Sequence, residues 1–146
     1  MKTKLYTRQA GFTLIEVMVV LLIIGIMASM VAPQILGQQE SAQLKKAAVD
    51  IQQLESSLEM YKLQNNQFPT TEQGLESLVT APTIDPIPRN YPENGFIKRL
   101  PDDPWDNPYQ LISPGEMGVV DIFSNGPDRE PGTEDDIGNW NVNEYL

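Results

Sequence analysis

The sequence predicts an α+β protein in which one long N-terminal helix packs on a small antiparallel β-sheet domain. Three observations predict it. An apolar run from Phe12 to Ala32 gives a helix of roughly 31 Å at about 1.5 Å per residue, close to the thickness of a hydrocarbon core. Beyond it Leu44, Ala47, Ala48, Ile51, Leu54, Leu58 and Tyr61 recur at three- and four-residue steps, which is one apolar helix face. Short apolar segments between proline and glycine turns then occupy the C-terminal part.

Residues 1–11 form a basic leader, with Lys2, Lys4 and Arg8 and no acid. Positive charge holds such an end in the cytoplasm and sends the rest across the membrane. An ordinary secretory signal peptide is the alternative. Against it stand a carboxylate inside the apolar region and the lack of a small-x-small cleavage site before Pro33.

Residues 12–32 read as a transmembrane and assembly helix whose polar side chains are only Thr13, Glu16 and Ser29. Glu16 is the informative one. A carboxylate in lipid is unfavourable unless something answers it, so it marks function.

Residues 33–65 continue the helix in amphipathic form, with Lys45, Lys46, Asp50, Gln53, Glu59 and Lys62 on the polar face. Pro33 and Gly37 are expected to kink or loosen it. Two helices broken at Pro33 are the alternative.

Residues 66–146 form the globular part. Phe68-Pro69 ends the helix. Thr70 to Gln73 has capping-box spacing, and Leu75, Leu78 and Val79 suggest a short helix. Pro82, Pro86, Pro88 and Pro92 stiffen a loop over 81–92. Phe96–Leu100, Tyr109–Ile112 and Val119–Phe123 read as strands, with a Pro114-Gly115 turn between the last two.

Composition narrows the chemistry. The 146 residues suffice for one modest domain, and the net charge of −10 excludes non-specific nucleic-acid binding. Such a chain suits divalent cations or basic partner surfaces, although solubility alone accounts for many of the acids. There is no cysteine and no histidine. Disulfides, a Ser-His-Asp triad and the commonest zinc ligand are therefore out of reach. A carboxylate pair could serve glycoside hydrolysis, but nothing else marks a sugar cleft. No phosphate-binding loop occurs, and the chain is not expected to be an enzyme.

Between Ser124 and Trp140, Asp128, Glu130, Glu134, Asp135 and Asp136 crowd a turn-rich loop. Hard oxygens in a flexible loop suit calcium, which takes six to eight oxygen ligands. The spacing is not that of an EF-hand, and a merely solvated acidic loop is the other reading. Trp105 and Trp140 are expected as core or loop anchors. Lys98-Arg99 is a basic pair that could meet Glu55 and Glu59 of a neighbouring subunit, or simply face solvent.

The basic leader, Gly11-Phe12, Glu16 and the apolar run together resemble the start of type IV pilins, a family that includes the pseudopilins of type II secretion. The resemblance implies a type IV pilin-like fold. It also implies that a prepilin peptidase cuts between Gly11 and Phe12 and N-methylates Phe12. Glu16 becomes the fifth residue of the mature chain and faces the Phe12 amine of a neighbouring subunit, which would relieve both charges in a low-dielectric setting.

Leu100-Pro101, Asp103-Pro104-Trp105 and Asp136-Ile137-Gly138-Asn139-Trp140 look like the G-type major pseudopilins, over essentially the whole chain. That likeness implies calcium held by Asp128, Asp135 and Asp136, with backbone carbonyls near Asn125, Glu130 and Thr133. Asn125 stands where leucine is common in the family, a change that a backbone ligand tolerates. Calcium would tie the loop to the sheet, as a disulfide does in many type IV pilins. The implied role is the major subunit of a periplasmic pseudopilus that drives export of folded proteins across the outer membrane. The implied partners are copies of itself in a helical homopolymer, minor pseudopilins, the peptidase and an inner-membrane assembly platform. A single-pass inner-membrane state with a periplasmic C-terminal domain would precede assembly. A major type IV pilin for adhesion, motility or DNA uptake, and a monomeric membrane-tethered binding domain, are the competing readings.

Overall fold

A computed structural model describes residues 11–146 and, for residues 30–36 within the helix, their helical backbone only. The leader up to Ala10 lies outside the described residues. The chain forms two compact units, one reaching to Gln39 and one spanning Glu40–Leu146.

Helix α1 spans Leu14–Asn65 as one element, so the chain is not split into two helices at Pro33. The Pro33 side chain, on which the expected kink depends, is outside the described residues. The helix starts on a capping box that the sequence displays as Thr13-x-x-Glu16. The Glu16 N–H donates to Thr13 Oγ1 at 3.3 Å, and the Thr13 N–H donates to Glu16 Oε2 at 3.4 Å. At the other end Asn66 takes a left-handed conformation at φ 62 and its N–H returns to the Lys62 carbonyl at 2.6 Å. Asparagine tolerates that conformation, which makes it an effective stop.

In the second unit Ala47, Ala48, Ile51, Leu54, Leu58 and Tyr61 are buried, as the periodicity predicts. Each large side chain so buried contributes about 1.5–3 kcal/mol. They share one core with Leu75, Leu78, Tyr109, Leu111, Val120, Ile122, Ile137 and Val142. Phe96 extends it, with its ring centroid 5.2 Å from Tyr61 and 5.4 Å from Tyr91.

Thr70 and Gln73 form the expected reciprocal pair: Gln73 N–H to Thr70 Oγ1 at 3.2 Å, and Thr70 N–H to Gln73 Oε1 at 3.1 Å. The segment that follows is a single 3-10 turn, Leu75–Leu78. The same Gln73 side chain donates to the Ile84 and Pro86 carbonyls at 2.9 and 3.0 Å. One buried amide thus organises the proline-rich loop.

The sheet has three antiparallel strands in the order β1-β2-β3: β1 Gln110–Ile112, β2 Asp121–Ser124 and β3 Ile137–Gly138. Leu111 pairs with Ile122, and Ser124 with Ile137. One expectation is corrected here. Phe96–Leu100 is not a strand, because the Phe96 and Ile97 N–H groups both donate to the Leu78 carbonyl at the end of the 3-10 turn, at 2.7 and 3.1 Å. The third strand comes instead from Ile137–Gly138, where the acidic loop returns to the sheet.

The β1–β2 connection includes Pro114-Gly115 as expected, but a carboxylate shapes it. Asp121, buried at the start of β2, accepts the N–H groups of Glu116, Met117 and Gly118 at 2.6, 2.8 and 2.9 Å. These charge-assisted bonds fix the loop from inside.

Candidate functional site

Two regions carry the residues singled out in the sequence. The first is the N-terminal half of α1. Its large apolar side chains from Phe12 to Met27 are exposed on all faces. A helix that is apolar all round is stable only when lipid or other helices surround it. Among the described residues no helix is long and apolar enough to cross a membrane. The described side chains of the apolar run stop at Ser29, so the span expected over residues 12–32 lies partly outside them. Gly11, Phe12 and Glu16 sit at the exposed start of this helix, with Glu16 in its first turn. There the helix dipole and the Thr13 N–H both favour a carboxylate.

The second region is the loop from Asn125 to Asp136, which leaves β2 and returns as β3. Asp128, Glu130, Glu134 and Asp135 are exposed, whereas Asp136 is only 9% exposed. Asp136 Oδ2 accepts the Gly132 N–H at 2.7 Å, and its Oδ1 is buried with no hydrogen-bond partner among the described residues. A buried carboxylate oxygen without a donor is costly, and a cation would answer it.

The remaining candidates are partly engaged within the loop. Asp128 Oδ1 accepts the Glu130 N–H at 3.0 Å. The Glu130 carbonyl accepts the Thr133 hydroxyl at 3.3 Å, and the Thr133 carbonyl accepts the Asp136 N–H at 3.4 Å. Asn125 uses its side chain, accepting from Gln110 Nε2 at 3.0 Å and donating to the Arg129 carbonyl at 3.4 Å. Among the described residues no group of three or more acidic side chains comes together as a cation site. The loop therefore brings Asp128, Asp135 and Asp136 onto one short connection without closing them on a common point. The donor chemistry and the orphaned Asp136 oxygen fit a hard divalent cation; closure would need the exposed Asp128 and Asp135 side chains to turn inward.

Three features around the loop escaped the sequence reading. Arg129 takes a left-handed conformation at φ 65 and donates to the Trp105 carbonyl at 3.1 Å. Asn139 holds the returning chain: its N–H donates to the Ile122 carbonyl, and its Nδ2 donates to the Val120 carbonyl and to Glu55 Oε1 on α1, at 3.0, 3.0 and 3.2 Å. Its signal was the Asp136 to Trp140 run singled out in the sequence. Asp103 is the third. Its run Asp103-Pro104-Trp105 stands out in the sequence, but not the burial of its carboxylate, which accepts from the Ser124 hydroxyl at 2.5 Å.

Trp140 is 38% exposed, and its ring lies over Gly138 and 5.9 Å from Phe123. Trp105 is packed against the core. Both act as anchors, as expected. Lys98 and Arg99 are exposed on the rim of an open cavity of about 820 Å³, together with Lys46 and Asp50. Among the described residues the ion pair is Lys46–Asp50 at 2.8 Å, so Lys98 and Arg99 do not meet Glu55 or Glu59 within one chain.

The comparisons with known proteins agree with one another over residues 6–140. The family model "Type II secretion system (T2SS), protein G" matches residues 34–140, and "Prokaryotic N-terminal methylation motif" matches residues 6–32. The type II secretion system core protein G of Pectobacterium carotovorum is 61% identical over 135 residues, covering 92% of this chain and 86% of the relative. The same-named proteins of Escherichia coli K12 and Pseudomonas aeruginosa are 57% and 48% identical, over 92% and 91% of this chain and 93% and 96% of the relatives. A crystal structure of the major pseudopilin from the type 2 secretion system of enterohaemorrhagic Escherichia coli superposes with a TM-score of 0.70. It shares 55% identity and covers 73% of this chain and 89% of its own.

Proposed function

We propose that this chain, which belongs to the type II secretion system protein G family and is a major pseudopilin, polymerises through its apolar N-terminal helix into the periplasmic filament that drives folded proteins across the outer membrane. It is a structural subunit, not an enzyme. The observation that carries the filament reading is the ring of exposed apolar side chains from Phe12 to Met27, interrupted by the single charge of Glu16. In the inner membrane, lipid covers that surface; in the filament, neighbouring helices do. Like helices replace the bilayer as the apolar surroundings, and head-to-tail contacts that never close give an open helical polymer.

Glu16 supplies the direction of assembly. On this reading a peptidase cuts between Gly11 and Phe12, inside the span that the N-terminal methylation motif matches, and the N-methylated Phe12 then carries a cationic amine. Among the described residues the Glu16 carboxylate accepts one hydrogen bond, from the Thr13 N–H. The Phe12 amine of the next subunit supplies the missing opposite charge. Before assembly the subunit stands as a single-pass inner-membrane protein with its C-terminal domain in the periplasm. Its partners there are the prepilin peptidase, the assembly platform and the minor pseudopilins.

Calcium belongs to the same reading. Asp128, Asp135 and Asp136 would hold it, with carbonyls of Asn125, Glu130 and Thr133. When bound it would supply a positive centre that ties β3 to the end of β2 without a disulfide.

Expression in a bacterium lacking its own major pseudopilin tests the function. The chain is expected to restore exoprotein release and to give crosslinks between neighbouring N-terminal helices. Processed, membrane-inserted chain that neither crosslinks nor restores release would overturn it.

A further inference from the structure

Asp103 is 3% exposed and Ser124 is fully buried, and neither belongs to the acidic loop. We infer that Asp103, acting through Ser124, is a positioning residue for the cation loop, so that the turn over residues 101–108 sets the loop's calcium affinity. The inference rests on the calcium reading above and adds a residue to it.

The geometry runs as one chain of contacts. Asp103 Oδ1 accepts the N–H groups of Trp105 and Asn107 at 3.0 and 2.7 Å, and its own N–H donates to the Asn107 carbonyl at 2.9 Å. The carboxylate is thereby fixed by its own turn. Its other oxygen, Oδ2, takes the Ser124 hydroxyl proton at 2.5 Å. That choice commits the serine. With its proton given to Asp103, Ser124 Oγ is left as an acceptor, and it receives the Gly126 N–H at 3.1 Å.

Gly126 is the next link. It has φ 67, and a Cβ there would collide with the Asp135 carbonyl. The outgoing arm of the loop therefore rests directly on the returning arm, at the residue that leads into Asp136. A second tie joins the loop to the same turn, from Arg129 Nη2 to the Trp105 carbonyl at 3.1 Å. Asp136 Oδ1 is the buried, unpartnered oxygen at the end of this path.

A buried carboxylate is a costly way to build a turn, since an asparagine could serve the two Oδ1 bonds. What asparagine cannot guarantee is the direction of the serine proton, because its amide can present a donor to Ser124. Groups that orient metal ligands from behind typically change affinity on the order of 10–100-fold when removed.

The test is calcium titration by calorimetry on the full-length chain in detergent micelles. It compares wild type, Asp103→Asn, Ser124→Ala and the double variant, with circular dichroism as the folding control. Asp121→Asn serves as a comparison, because Asp121 is equally buried but caps residues 116–118. Expected are calcium dissociation constants raised on the order of 10–100-fold in both single variants, with the double variant no weaker than the worse single one. Asp121→Asn is expected to keep the wild-type affinity despite lower stability. Folded Ser124→Ala with wild-type affinity overturns the inference, even if Asp103→Asn fails to fold. So does an Asp121→Asn loss as large as the others, since the effect would then be general loosening. A wild-type chain that takes up no calcium overturns the calcium reading and this inference with it.

Discussion

The Tyr109 hydroxyl donates to Asp50 Oδ2 at 3.0 Å, fastening the residue that leads into β1 to the flank of α1. The same carboxylate oxygen takes Lys46 Nζ at 2.8 Å, and Lys46 also reaches the Asp102 carbonyl at 3.1 Å. Helix and sheet are thus joined by a polar clasp at the edge of the apolar core. Burial, then the Asp50 charge and hydrogen bond, then the Asp103 charge, hold the Tyr109 phenol far above its ordinary value.

A pH dependence follows from that clasp. A raised folded-state value means stability is fully present below about pH 10, the ordinary range of a phenol, and is lost as pH rises beyond it. The wild-type melting temperature is expected to fall above that point, and to fall less in Tyr109→Phe. At neutral pH Tyr109→Phe is expected to cost about 1–3 kcal/mol, since it removes a donor from a part-buried carboxylate. Denaturant melts at the two pH values check both; equal alkaline slopes would count against the assignment.

Gly138 has no room for a side chain, because a Cβ would enter the Trp140 ring. Gly138→Ala is expected to destabilise by about 1–3 kcal/mol through overpacking. In the Trp140→Ala background the same change should be nearly silent, giving a coupling of similar size. A double-mutant cycle by urea unfolding measures this, and additive effects would sink it.

Glu16 makes two kinds of contact that one pair of variants separates. Glu16→Gln keeps an acceptor for the Thr13 N–H but has no charge, whereas Glu16→Ala loses both. If the charge is what assembly uses, both variants are expected to be processed normally and to fail equally in helix–helix crosslinking. Near-wild-type crosslinking by Glu16→Gln would instead assign the residue to helix capping.

Calcium is expected to raise the melting temperature of the chain. Binding to the folded state alone stabilises by about 2.7 kcal/mol at a hundred times the dissociation constant. Asp136→Asn should abolish the calcium response and, lacking the buried unpaired charge, melt no lower than wild type in chelator. A calcium-independent melt for wild type, or a preserved response in Asp136→Asn, speaks against the site.

The helix was legible in sequence because its signals are local. The apolar run, the face from Leu44 to Tyr61 and the Thr70–Gln73 box each depend on residues within a few positions of one another; the run is helical, the face lies on the core and the box makes both of its hydrogen bonds. The family was legible for a similar reason: Gly11-Phe12, Glu16 and the Asp103 to Trp105 and Asp136 to Trp140 runs are contiguous motifs. What the sequence left undecided was every pairing between distant segments. Phe96–Leu100 has strand composition, yet its N–H groups went to the Leu78 carbonyl, and Ile137–Gly138 took the sheet edge instead. Of the acids in the loop between β2 and β3, tertiary packing buried Asp136 and left Asp128 and Asp135 in solvent. It also brought Asp103 to Ser124, 21 residues along the chain. Hydrophobic periodicity is written along the chain, whereas the partner of a buried polar group is chosen only when the core closes and removes water as the alternative.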